Sequence, residues 1–258
     1  MEAKDLYEKD YRNALGFTNK ENIKKYFKGT DIICINWSYI EQLNLRLIDI
    51  FRRINSIVHE SIRPNDYSEF SNSILSAYSV LRENNIISRL NNFGRTHEDV
   101  YFNWMRGYCV ATYFTKAISI MLNVDSSSIH NIGMDSLDDI KTFSQSPTAD
   151  IEVKLNNESF IRLEIQSGFT GINDIKKHKV TEAKRVYNET NIRSYIVHFD
   201  LFNGKAAVID LSEIEDNNIN YRINERFEGQ IVFSIPDEAF MYKLTDAPVP
   251  FSDLIYIP

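Results

Sequence analysis

Apolar residues recur at steps of three and four through the first half of the chain, and at steps of two through much of the second. Helices are therefore expected first and strands later. After an opening polar helix, Ile40, Leu43, Leu47, Ile50, Ile54 and Ile57 trace one face of an amphipathic helix. Arg63-Pro64-Asn65-Asp66 interrupts it, a further helix is expected near Tyr67–Leu81, and Asn91-Asn92-Phe93-Gly94 reads as a loop. Thr96-His97-Glu98-Asp99 has the form of a capping box. From there Val100, Trp104, Gly107, Ala111, Phe114, Ile118 and Met121 keep helical spacing and predict a long buried helix. Glycine within a helix costs about 1 kcal/mol relative to alanine, so a close neighbour is expected against Gly107.

Beyond Asn123 the period shortens. Strands are expected at Ile140–Phe143, Ala149–Leu155, Phe160–Gln166, Ser194–Phe199, Ala206–Leu211 and Gln230–Ile235, with a helix at roughly Asn173–Asn188 between the third and fourth. Such an order is an α/β pattern. It suggests a helical region over residues 1–95, not necessarily a separate domain, followed by a core over 96–258.

Composition narrows this little. The chain of 258 residues has ordinary globular proportions of apolar and charged residues. Its charged N-terminus has no apolar signal segment, and no apolar run approaches the length that spans a bilayer. Two cysteines, Cys34 and Cys109, are too few for a disulfide framework, and both sit in apolar contexts that suit buried thiols. A reducing cytoplasm is the expected setting. A net charge of −7 argues against a generic polyanion binder, yet Lys176, Lys177, Lys179, Lys184 and Arg185 concentrate positive charge locally.

The chemistry is concentrated in two strands. Within Phe160–Gln166, Ile161, Leu163 and Ile165 face one way, while Arg162, Glu164 and Gln166 face the other. A three-residue loop, Asn156-Asn157-Glu158, would pair residue 155 with 159 and 150 with 164. Asp150 and Glu164 would then share a face; a two-residue loop would break that phase. Two carboxylates and the Ile165 carbonyl are hard oxygen donors of the kind Mg²⁺ takes, alongside water and phosphate oxygens. A solvated polar strand face is the ordinary alternative.

Pro147-Thr148-Ala149-Asp150 followed by Glu164-Ile165-Gln166 resembles the motif of the PD-(D/E)XK nuclease superfamily. The segment from about Glu98 to Phe199 resembles that superfamily's common core. The resemblance implies a restriction-endonuclease-like fold, a central mixed sheet flanked by helices, with Asp150, Glu164 and the Ile165 carbonyl holding Mg²⁺. Gln166 stands where the motif has lysine, a variant found in a branch of type II restriction endonucleases. It would align water or phosphate, and a helix lysine, Lys179 ahead of Lys176, would supply the missing charge. Glu98 is the implied acidic residue of the preceding helix. Expected partners are double-stranded DNA and a second copy in a homodimer, and a companion methyltransferase would act on the same site. A structure-specific repair or recombination nuclease and a non-catalytic binding protein are the rivals. Residues 169–173, 202–205 and 215–226 are candidate base-reading loops.

Overall fold

A computed structural model describes residues 3–17, 19–29, 33–90, 95–131, 137, 143, 151–155, 159–224 and 229–251. The helical portion comprises α1 (Ala3–Leu15), α2 (Lys20–Lys28), α3 (Trp37–Ile57), α4 (Tyr67–Glu83), α5 (Ile86–Arg89) and α6 (His97–Leu122). The strands are β1 (Ile129–Asn131), β2 (Ile151–Lys154), β3 (Phe160–Gly168), β4 (Asp174–Lys176), β5 (Arg193–Asp200), β6 (Lys205–Asp210), β7 (Tyr221–Asn224), β8 (Gln230–Ser234) and β9 (Tyr242–Lys243). Helix α7 (Lys177–Thr190) lies between β4 and β5.

Among the described residues, a six-stranded sheet runs β1-β2-β3-β5-β6-β9 and a three-stranded sheet runs β4-β8-β7. The larger sheet is mixed: β3 and β5 are parallel, and the other pairs are antiparallel. Parallel neighbours need a crossover, which α7 provides. The expected α/β architecture, a central mixed sheet flanked by helices, is present. So is the expected order of helix, strand, strand, helix and strand, with β1 and β4 added to it.

Strand alternation divides the large sheet into two faces. Ile161, Leu163, Tyr195, Val197 and Phe199 turn toward α3, α4 and α6 and join one continuous core with them. Phe114 of α6 stacks on Phe199 with ring centroids 4.1 Å apart. Residues 37–90 thus share their core with the large sheet. On the other face, Ile196, Ala207 and Leu211 pack with Val180 and Ala183 of α7 and with Ile175 and Phe233 of the small sheet.

Several expectations change. Thr96 does cap α6, its hydroxyl accepting from the Asp99 amide at 3.2 Å. The buried face of α6 takes in the expected Val100, Phe114, Ile118 and Met121 together with Tyr101, Met105, Cys109, Tyr113 and Ala117; Trp104 and Ala111 are half-buried, and Gly107 is exposed. Among the described residues, no neighbour within 4 Å of a Cβ requires a glycine there. Cys34 is exposed, against expectation, whereas Cys109 is buried and its thiol is pushed up to about 12 by desolvation. The helix expected from 173 begins at Lys177, because residues 174–176 pair with β8 instead. Of the strand expected at 140–143, residues 140–142 lie outside the described residues; Phe143 packs edge-on against Trp104. Among the described residues, no helix is long and apolar enough to cross a membrane.

Candidate active site

Strand β3 is positioned by register. Ile151 pairs with Leu163 and Val153 with Ile161, and the Leu155 amide donates to the Ser159 carbonyl at 2.8 Å. That is the phase a three-residue connection requires. Asp150 itself lies outside the described residues.

Glu164 faces away from the helical core, beneath α7. Val180, Ala183 and Val186 bury the inner stripe of that helix. Lys179, one residue before Val180, projects along its flank, and its Nζ donates to Glu164 Oε1. The two side chains are 30% and 12% exposed, so the ion pair is largely withdrawn from water and weakly screened. Lys176 ends β4 and stands at the N-cap position of α7, without a side-chain capping bond. The structure brings Lys179 onto Glu164.

Gln166 lies one pleat repeat further along the same face. Its Nε2 donates to the Asp174 carbonyl at 2.8 Å. With the amide nitrogen so used, Oε1 is the group Gln166 can turn toward a water or a metal-bound oxygen. Asp174 is a structural hub that the sequence reading missed. Its carboxylate, 1% exposed, accepts from Arg222 at 2.9 and 3.1 Å, from Asn224 at 2.5 Å and from Ser234 at 2.7 Å. The small sheet thereby fixes the carbonyl that orients Gln166.

Glu98 is placed elsewhere. Its carboxylate accepts from the Asn36 amide at 2.5 Å and ties the start of α6 to the start of α3. Helix α6 covers the Leu163 face of the sheet, opposite Glu164. Phe114 stacks on Phe199, while Met121 meets Phe251, which in turn contacts Tyr195. The helix thus runs antiparallel to β5, and its 1.5 Å rise carries Glu98 roughly 24 Å beyond Phe114. Glu98 is not brought to the Glu164 group.

Beyond Gln166, two of the candidate base-reading loops are fastened together. Asp200, fully buried, accepts from Asn173 Nδ2 at 2.8 Å, Asn203 Nδ2 at 2.7 Å, and the Phe202 and Asn203 amides. Burial alone would raise its carboxyl, but donation from Asn203 and Asn173 holds it below the usual range. Asn173 spends its amide nitrogen on Asp200, so its Oδ1 accepts from His198 Nε2 at 2.8 Å, which fixes the imidazole tautomer. A Cβ at Gly168 would meet the Ile172 carbonyl at 3.1 Å, so a larger residue there would have to push the 169–173 loop back by a few tenths of an ångström.

Burial pushes the His198 imidazole down to about 4, against the pull of Asp200 and Asp174. In the unfolded chain it would titrate near 6.5. Its contribution to stability is therefore full above about pH 6.5 and is lost as pH falls toward 4, amounting to roughly 3 kcal/mol. Urea unfolding at a series of pH values should show this loss in the wild type. His198→Gln keeps a donor for Asn173 and should flatten the curve between those limits; equal curves would mean that His198 does not control it.

Among the described residues, no cluster of three or more His, Cys, Asp or Glu side chains is gathered as for a metal ion. Glu164 and the Ile165 carbonyl are hard oxygen donors that fit Mg²⁺, and the β2–β3 register is the phase that would set Asp150 opposite Glu164.

No family model and no curated protein matches the chain. A solved structure similar to it is that of Hjc, a Holliday junction resolvase from the archaeal hyperthermophile Archaeoglobus fulgidus. The identity is 10%, over 55% of this chain and 95% of that one, with a TM-score of 0.32. A likeness so slight carries no argument about what this chain does.

Proposed function

We propose that this chain is a Mg²⁺-dependent DNA endonuclease of the PD-(D/E)XK kind, and specifically a type II restriction endonuclease acting as a homodimer beside a methyltransferase of matching specificity. The observation that carries this reading is Lys179 on Glu164: an ammonium delivered from α7 to the carboxylate of a Glu-x-Gln strand, where the motif would place its own lysine. Asp150, Glu164 and the Ile165 carbonyl would hold the metal. When bound, Mg²⁺ supplies Lewis-acid activation of water and charge stabilisation at a phosphodiester. Lys179 offsets negative charge that builds on the phosphate, and Gln166 Oε1 orients the attacking water through an acceptor fixed by Asp174. Two symmetric copies would cut both strands of a palindromic site.

Digestion of unmethylated phage DNA with Mg²⁺ tests this, comparing the wild type with Asp150→Ala and Glu164→Ala. Discrete fragments, absent with both variants, are expected. A smear abolished by the same variants would point to a nonspecific nuclease. Cleavage confined to branched junctions would point to a repair or recombination enzyme. DNA left intact under all conditions would count against catalysis and favour a binding role.

A further inference from the structure

We infer that Arg162 anchors a backbone phosphate of the DNA strand next to the one placed at Glu164, an assignment that rests on reading this site as a nuclease. Arg162 lies two residues before Glu164 on β3, so strand alternation puts both side chains on the same face, one pleat repeat or about 6.6 Å apart. That separation is comparable to the span of one nucleotide along a sugar–phosphate backbone.

Arg162 is half-buried; its Nε, shut off from solvent, has no acceptor among the described residues, and the Nη end of the guanidinium is the part a ligand from outside can reach. A buried donor without a partner is uncommon in a native fold and costs about 1–3 kcal/mol. Two carboxylates lie in its neighbourhood. Glu152 pairs directly across from Arg162 on β2, yet among the described ion pairs none joins the two. Glu182 on α7 feels the charge of Arg162, but its oxygens go to Arg185 at 2.7 and 2.9 Å. Nearby arginines are not left this way: Arg193 holds Asp210 and Glu213, and Arg222 holds Asp174.

An arginine kept in place by the sheet but withheld from its neighbouring acids is pre-organised for an anion from outside the chain. Its planar fork matches a phosphate through paired N–H donors. Lys179 stands beyond it over Glu164, so the face offers positive charge along the direction of β3. A strand lying along that direction would meet Arg162 and the Glu164–Lys179 pair at successive phosphates.

Phosphate contacts are recognised by salt dependence, because each one releases condensed counterions. Binding of a labelled mixed-sequence duplex in EDTA, where no cleavage occurs, would be measured across a salt series for the wild type, Arg162→Gln and Arg162→Lys. Arg162→Gln is expected to bind more weakly and to reduce the slope of log K against log[salt] by about 0.9, with the slope retained in Arg162→Lys. Thermal melting establishes that each variant is folded, and a purely structural arginine would change stability without changing the slope. A wild type that binds while Arg162→Gln keeps its full slope overturns this assignment alone. A wild type with no affinity for DNA overturns the nuclease reading, and this assignment with it.

Discussion

Replacing Lys179 with alanine is expected to slow Mg²⁺-dependent DNA cleavage by about two to three orders of magnitude, the usual loss when one pre-placed charge or donor is removed from a transition state. The geometry makes the effect specific. Lys179 reaches Glu164 from α7, a helix anchored on the sheet through Val180, Ala183 and Val186, so its Nζ has little freedom to wander. Lys179→Arg should retain more activity than Lys179→Ala, though not all of it, because a longer planar head cannot occupy the same point. The decisive variant is the double one. Lys179→Ala with Gln166→Lys returns the charge to strand β3, on the same face as Glu164, where the new ammonium can still donate to the Asp174 carbonyl. Recovery of at least tenfold over Lys179→Ala alone is expected. Single-turnover rates separate this from binding, since a loss confined to KM would mean that Lys179 holds DNA rather than stabilising the reacting phosphate. Activity in Lys179→Ala within a few-fold of the wild type would reduce the pair to a structural ion pair and remove the main support for the nuclease reading.

That Lys179 could reach the Glu164 strand was readable in the sequence because helical geometry is local. Lys176 and Lys179 stood one turn apart, and only the start of the helix decided between them. Strand β3 was equally legible: Ile161, Leu163 and Ile165 alternate with Arg162, Glu164 and Gln166, and such alternation has a single interpretation. Helix α6 was legible as a helix but not in its orientation. Apolar residues surround it so nearly that Trp104, Gly107 and Ala111 fit helical spacing as well as the stripe through Tyr101, Met105 and Cys109, and tertiary packing alone chose the second. The rest escaped for reasons of range. Strands β1, β4, β7 and β9 have two to four residues each, too few to establish a period. Glu98 illustrates a separate failure: a position at a helix start suits both catalysis and capping, and only the Asn36 amide reveals which one it serves.

Asp174 shows most clearly what the sequence conceals, and it carries the largest expected effect on stability. Asn173-Asp174 reads as the opening of a helix, a place where a carboxylate is ordinary. In the fold the same residue opens β4, and its partners Arg222, Asn224 and Ser234 lie 48, 50 and 60 positions downstream. Asp174→Ala would leave the Asn224 amide and the Ser234 hydroxyl without their acceptor, at about 1–3 kcal/mol for each donor that stays buried. Arg222 adds less, because its side chain is 56% exposed and can return to water. A total loss of roughly 3–5 kcal/mol in urea unfolding is expected. Ser234→Ala, which removes one donor and leaves the rest, should cost about 1 kcal/mol. The functional consequence can be separated from the structural one through Gln166. If the small sheet works by holding the carbonyl that orients this amide, Ser234→Ala and Arg222→Gln, both still folded, should lower kcat more than they raise KM. Gln166→Ala should make either substitution silent, because the group being positioned is gone. Additive losses would show that the Asp174 hub steadies the fold without aiming Gln166, and the β4-β8-β7 sheet would then have no part in the chemistry.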